Sequence, residues 1–569
     1  MPQDSQDELL RALLRETKLF NDVQLDQIFA DPREGDASIT ESIVRLNMAP
    51  EEDFLRAASE VLGTEFVDVS TLEAVPEVLE KLPARAVYQY NVVPVSFDGK
   101  KLTVASNDPF NQTQIDGLRI ATGCQIKIVA ATGEKIGKQA RKYYGVGGDT
   151  FQKMMEGGRY DADIGADSQK YDLSEVGQEA SIVRFVNQII AEADKQGATD
   201  IHVEPMEHEL RIRYRIDGLL HKVDVPAQLN KVQAAVISRV KVMANLDIAE
   251  KRMPMDGRIG IRVNGKDIDI RVSTCPTVYG ESISLRLLQK GGGLVRLAQL
   301  GLNPRDDKVV TRTIHRPNGI MLVTGPTGSG KSTSLYAFLH EINTVDKRIL
   351  TAEEPVEYEM AGINQVLVRP DIGLTFSRVL RSFLRQDPDV LMVGEIRDKE
   401  TAEIAINASL TGHLVFSTLH TNDAAGAFAR LIDMGVEPFL VASSVVAVLA
   451  QRLLRKLCKV CREEGDADAG LLSRMEIDPA IFSGKKVYNA RACQLCGQTG
   501  YKGRGGIFEV LAMSEKLRSM VTEHRPSAEI RDVALSEGMT TLREDGWNKV
   551  FNGFTSIDEV LRVTEDQGE

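Results

Sequence analysis

The chain has 569 residues, too many for one compact domain and enough for roughly three or four. Hydrophobic residues make up 43% and charged residues 27%, a balance that argues against global disorder and leaves apolar material for several cores. A formal net charge of -13 argues against a surface that grips nucleic acid or anionic lipid by bulk attraction.

The N-terminus, "MPQDSQDELL", is acidic and lacks the basic segment and apolar run of a secretion signal, so a cytoplasmic location is expected. The longest apolar run, "FLVASSVVAVLA" from Phe439 to Ala450, falls short of the roughly eighteen residues a membrane-spanning helix needs. Membrane association is therefore expected only through a partner.

Residues 1–145 read as a small α/β domain. Helical periodicity in "EEDFLRAASEVLG" gives way to strand-like "NVVPVSF" and "KLTVASN", joined by the turn "DGK". Residues 146–172 are rich in Gly and Asp without sustained apolar periodicity, and are expected to be a flexible linker. A second module, residues 173–290, opens on an amphipathic helix in "ASIVRFVNQIIAEADKQG" and continues into the alternating strands "ELRIRYRIDG" and "KDIDIRVSTC". "GGG" at Gly291 to Gly293 punctuates the chain before a third module, residues 291–569. There "GIMLVTG", "RILTAEE", "VLMVGE" and "LVFSTLH" are apolar runs without alternation, which suits parallel strands covered on both faces. The tail from Lys516 reads as helices.

Chemistry concentrates in this third module. "GPTGSGKST" (Gly325, Pro326, Thr327, Gly328, Ser329, Gly330, Lys331, Ser332 and Thr333) matches the phosphate-binding loop and sits between a strand and a helix, as that loop requires. Its glycines let backbone amides turn toward phosphate oxygens, Lys331 would neutralise the β- and γ-phosphates, and Ser332 would ligate Mg²⁺. Glu395 follows the strand of "VLMVGE", Glu353 and Glu354 end another strand, and His420 ends a third. In a parallel sheet these ends converge beside the loop, because ligands bind outside the carboxyl ends of the strands. A carboxylate at such a tip can orient and deprotonate an attacking water.

Cys458 and Cys461, then Cys493 and Cys496, form two Cys-x-x-Cys pairs with thirty-one residues between them. Two such pairs suit Zn²⁺ held by four thiolates, with no position left for water, so the metal would be structural. The subdomain it pins is expected at 455–505, inserted after the parallel sheet. Cys124 and Cys275 read as small hydrophobes.

At these residues the sequence resembles the ATPases of type II secretion and type IV pilus assembly. The resemblance rests on "GPTGSGKST", "AEEPVEYEM", "VGEIRD" and "TGHLVFSTLHTNDA", with "ATDIHVEP", "RYRIDGLL" and "DIRVSTCPTVYGESISLRLL" in the second module. It implies an α/β fold: a RecA-like P-loop motor domain, a PAS-like α+β domain before it, an N-terminal adaptor and a tetracysteine zinc subdomain. It implies Glu395 as catalytic base, Glu353 as a holder of Mg²⁺ and water, His420 as a γ-phosphate sensor, and Arg271 and Arg286 as arginines brought to the phosphates.

The family further implies a cytoplasmic homohexamer, peripheral to the inner membrane. It would work on a membrane platform protein and couple ATP hydrolysis to building a pilus or pseudopilus. The rival expectations are a nucleotide-switched scaffold with little turnover, or a nucleic-acid translocase. Two positions depart from the family pattern: Glu354 stands where aspartate is usual and Met255 where glutamine is common. The adaptor of some members binds cyclic di-GMP through repeated Arg-Leu-Gly motifs. Here only "RLN" (Arg45 to Asn47) is present, so docking rather than dinucleotide binding is expected.

Overall fold

Residues 3–31, 38–73, 75–148, 173–226, 229–263, 266–289, 295–475 and 477–564 are described by the computed structural model. They fall into two units, residues 1–288 and 289–569.

In the first unit, helices Gln3–Glu16, Asp22–Ala30, Ile39–Arg45 and Glu51–Leu62 bury Leu14, Leu25, Ile28, Ile43, Phe54 and Leu55 together. Local chemistry sets their ends. Asn21 accepts from the amide of Gln24, whose side chain returns the bond to Asn21, and Gly63 closes the Glu51–Leu62 helix at φ 63°. The strands Val92–Phe97 and Lys101–Ser106 pair antiparallel, and Gln125–Ala130 adds a third strand in parallel. Of the expected linker, residues 149–172 lie outside the described residues. Its first residues are packed: Val146 is buried beside Phe185 and donates its amide to the carbonyl of Asp224 at 2.8 Å.

The same unit carries a six-stranded sheet, ordered Leu219–Lys222, Leu210–Ile216, Ala198–Pro205, Gly280–Gln289, Lys266–Thr277 and Met255–Val263. One face is apolar (Ile201, Val203, Ile212, Tyr214, Ile270, Ile283) and packs against the helices Leu173–Lys195 and Gln233–Met243. The alternation in "ELRIRYRIDG" is that burial seen in sequence. Cys275, read as a small hydrophobe, is exposed, because its strand position faces away from the core. Cys124 packs at the edge of the N-terminal core.

The second unit is built on a seven-stranded sheet, ordered Asn364–Leu367, Ile349–Glu353, Val390–Val393, Leu414–Leu419, Gly319–Thr324, Val445–Leu457 and Tyr501–Ala512. All neighbours are parallel except the last pair. Along Gly319–Thr324, Ile320 and Leu322 enter one core with helices Phe376–Phe383, Lys399–Leu410 and Gly426–Asp433. Met321 and Val323 enter another with Pro304–Ile314 and Lys331–Ile342. Both faces of the strand are covered, which is why its sequence does not alternate.

The tetracysteine segment does not follow the sheet. It interrupts the antiparallel hairpin that closes it, because Leu457 pairs with Tyr501 and the segment between them loops out. Helices Glu515–Thr522, Ser527–Ser536, Leu542–Phe551 and Ile557–Thr564 complete the chain. Among the described residues no helix is long and apolar enough to cross a membrane.

Candidate functional site

The strand Gly319–Thr324 ends at Gly325, and the chain turns into the helix Lys331–Ile342, whose N-cap is Gly330 at φ 89°. Gly325 has φ 145°, and a Cβ there would lie 2.6 Å from the carbonyl oxygen of Gln451, so both conformation and space demand glycine. A glycine-built turn leading into a helix N-terminus is the backbone arrangement that offers N–H groups to an anion. Lys331 donates its ammonium to the carbonyls of Gly325 (2.8 Å) and Pro326 (3.2 Å) of its own loop. Burial pulls its pKa down, opposed by the nearby Glu395.

Beside the loop lies an open cleft that gathers Lys331, Ser332, Glu353, Glu354, Glu395 and His420. Each expected strand-end residue of the motor module is thus in one place. The sheet order does this: Ile349–Glu353, Val390–Val393 and Leu414–Leu419 are adjacent parallel strands, so their carboxyl ends are level. Hydroxyl groups stitch these ends together. Ser417 donates to the Val393 carbonyl at 2.8 Å, Thr418 to that of Gly394 at 2.7 Å, and Thr324 and Thr421 share a hydroxyl bond of 2.6 Å.

Glu353 is buried, and both its oxygens are engaged. Oε2 accepts from the Tyr336 hydroxyl, while Oε1 accepts from Thr351 (2.5 Å) and Gln365 (3.0 Å). A carboxylate offers about four lone-pair directions, so Glu353 retains about one for anything in the cleft. Glu395 has Arg397 against Oε1 at 2.5 Å and His420 Nε2 at 3.7 Å from Oε2. Arg397 also reaches Glu354 at 3.6 Å, so one guanidinium lies between two acids.

Burial lowers the pKa of His420, with Lys331 adding to the effect and Glu395 opposing it. Its imidazole is then neutral at pH 7 and can offer one donor and one acceptor. The folded state binds this proton less readily than the unfolded chain, so the stability it contributes is present above pH 6.5 and is lost as pH falls below that value. NMR titration of the His420 ring should give a midpoint below 6.5; a midpoint above it would show that Glu395 outweighs burial.

The two expected arginines belong to the first unit. Arg286, on Gly280–Gln289, donates Nε to Asp200 Oδ1 at 2.9 Å. Arg271 is half-buried on Lys266–Thr277, in register with Arg258. Sequence reasoning did not single out Arg397, Tyr336 or Gln451. A signal existed for Gln451, since it is the first polar residue after the apolar run "VVAVLA".

The second constellation is the four cysteines. Sγ separations are 3.7 Å for Cys458–Cys493, 3.8 Å for Cys461–Cys496 and 3.6 Å for Cys493–Cys496, and all four sulfurs lie within 4.8 Å of one another. Tetrahedral Zn–S bonds of about 2.3 Å place sulfurs about 3.8 Å apart, so the cluster fits zinc. Burial opposes ionisation of Cys496, but the amides of Cys493 and Gly500 (3.4 and 3.2 Å from Sγ) outweigh it and bring the thiol to about 6. Burial and the neighbouring sulfurs push Cys461 up to about 12. A divalent cation among them would favour thiolate at all four positions.

A phosphate loop, a serine for Mg²⁺ and acids at the tips of a parallel sheet define an ATP hydrolase of the P-loop class. A family model described as "Type II/IV secretion system protein" matches residues 175–562, and one described as "MshEN domain" matches residues 62–150. The chain is 41% identical over 576 residues to the type II secretion system protein E of Xanthomonas campestris pv. campestris, covering 100% of both. It is 39% identical over 559 residues to the type IV pilus assembly ATPase PilB of Myxococcus xanthus, covering 98% of both. With the type II secretion system protein E of Pseudomonas aeruginosa it shares 50% identity over 396 residues, 70% of this chain and 78% of that one. The chain belongs to the type II/IV secretion system protein family.

Proposed function

We propose that the chain is the hexameric motor that drives assembly of a type IV pilus or a type II secretion pseudopilus from the cytoplasmic face of the inner membrane. The observation that carries this is the cleft, where Lys331, Ser332, Glu353, Glu395 and His420 meet beside the phosphate loop. Lys331 holds the β- and γ-phosphates. Ser332 would hold Mg²⁺ with Glu353, and the magnesium would neutralise phosphate charge when bound. With three donors already on its carboxylate, Glu353 has about one lone pair left to offer the ion or a water the ion would hold. Glu395 takes the proton of the attacking water, and His420, neutral at pH 7, donates toward the γ-phosphate. Arg271 and Arg286 balance charge as the terminal phosphoryl group leaves. The N-terminal α/β domain docks the motor to a membrane platform protein.

Three measurements test this reading. Arg271→Ala and Arg286→Ala should each lower kcat about tenfold or more in the assembled protein. Duplex DNA should leave the ATPase rate unchanged, in keeping with the net charge of -13; stimulation by DNA would favour a translocase. A deletion strain complemented with this chain, assayed for surface pili and for secreted enzymes, separates pilus assembly from secretion.

A further inference from the structure

Gln451 is 2% exposed on the strand Val445–Leu457, one residue past Ala450, which lies in register with Thr324. Thr324 is the last residue before the phosphate loop, so the register carries Gln451 alongside Gly325. Its Nε2 donates to the Ser329 carbonyl at 2.6 Å, and its Oε1 accepts from the Ser334 hydroxyl at 2.7 Å. Ser329 lies within the loop and Ser334 in the first turn of the following helix, so one amide spans both. The fit is close: a Cβ on Gly330 would lie 3.0 Å from Gln451 Nε2. The next residue, Arg452, is also buried and donates to the carbonyl (3.0 Å) and Oδ1 (3.3 Å) of Asn422, two residues beyond His420. Consecutive residues of one strand thus hold the phosphate loop and the segment after the histidine.

We propose that Gln451 is a positioning residue for ATP binding, setting the curvature of the loop so that its amides and Lys331 meet the phosphates together. The proposal rests on ATP occupying that loop. The physical reason for glutamine is stereochemical. A buried carbonyl needs a donor and a buried hydroxyl an acceptor, and the carboxamide supplies both from one group at this length. Were Gln451 only filler, an apolar residue would avoid burying a polar group at all.

The test uses the full-length protein, a fluorescent mant-ADP titration and steady-state ATPase kinetics. Gln451→Met keeps length and removes both bonds. It should raise the Kd for mant-ADP and the KM for ATP about tenfold, equivalent to about 1.4 kcal/mol, with kcat at saturating ATP little changed. Gln451→Glu keeps the acceptor for Ser334 but sets a carboxylate against the Ser329 carbonyl, and should weaken binding further. Ser334→Ala removes one bond only, should weaken binding about threefold, and provides a test should Gln451→Met not fold. A folded Gln451→Met, or Ser334→Ala, with unaltered mant-ADP affinity would overturn the proposal, even with a lowered Tm. So would a fall in kcat at unchanged KM. Failure of the unsubstituted protein to bind mant-ADP would instead remove the ATP reading on which it rests.

Discussion

Glu395→Gln should reduce steady-state ATP hydrolysis roughly 10²- to 10⁴-fold, the contribution expected of a general base, while leaving nucleotide affinity nearly unchanged. The substitution is close to isosteric. It keeps an oxygen near Arg397, which contacts Oε1 at 2.5 Å, and leaves Arg397 its second acid, Glu354, at 3.6 Å. The stitched strand ends at Ser417–Val393 and Thr418–Gly394 do not involve the side chain, so the cleft should stay assembled. What is lost is the capacity to accept a proton from water. Binding depends on the loop amides and Lys331, which the change does not touch. Single-turnover hydrolysis and mant-ADP titration on the same preparation separate the two quantities. Unaltered turnover would take Glu395 out of the chemistry, and with it the motor reading, leaving a nucleotide-switched scaffold.

The legibility of this cleft in sequence followed from the geometry of parallel sheets. A residue at the carboxyl end of an apolar run lies at the binding edge whatever the strand order, so Glu353, Glu395 and His420 could be placed together without knowing which strands are neighbours. Roles that depend on lateral order are not legible, even where a polar residue stands out in the sequence. Gln451 meets the loop only because Val445–Leu457 lies beside Gly319–Thr324, and nothing in "VLAQRL" states that adjacency. The edge hairpin was missed for a different reason. The strand Tyr501–Ala512 begins "YKGRGG", where glycine and charge mask any strand period, so the sequence marks no sheet strand after the cysteines. Likewise the run Phe439–Ala450 is uniform in composition yet divides between the helix Pro438–Ser444 and the strand that starts at Val445. Hydrophobicity alone does not mark such a boundary.

Removing the zinc should cost more than the local fold of the knuckles. Structural zinc sites contribute on the order of 10 kcal/mol of apparent binding free energy, more than a small insert with few apolar residues can replace. The insert between Leu457 and Tyr501 has the two-stranded ribbon Glu463–Gly465 and Val487–Asn489, a short helix Ala469–Arg474, and the buried Leu472, Phe482 and Val487. These residues pack on the C-terminal helices. Phe482 lies edge-on to Trp547, with ring centroids 5.2 Å apart. Trp547 is the chain's one tryptophan, so its emission reports this docking without added label. Purified protein should contain about one zinc per chain. Chelation, or the double change Cys493→Ser and Cys496→Ser, should red-shift the tryptophan emission and expose the insert to protease. Gln451 lies on the strand whose next residue after Leu457 is Cys458, so the same treatment should also weaken mant-ADP binding if the end of that strand frays. The order of events discriminates: emission shift and cleavage together with zinc loss would make the metal the pin of the insert. A zinc-free protein with unshifted emission and an uncleaved insert would show that Leu472, Phe482 and Val487 hold the hairpin on their own.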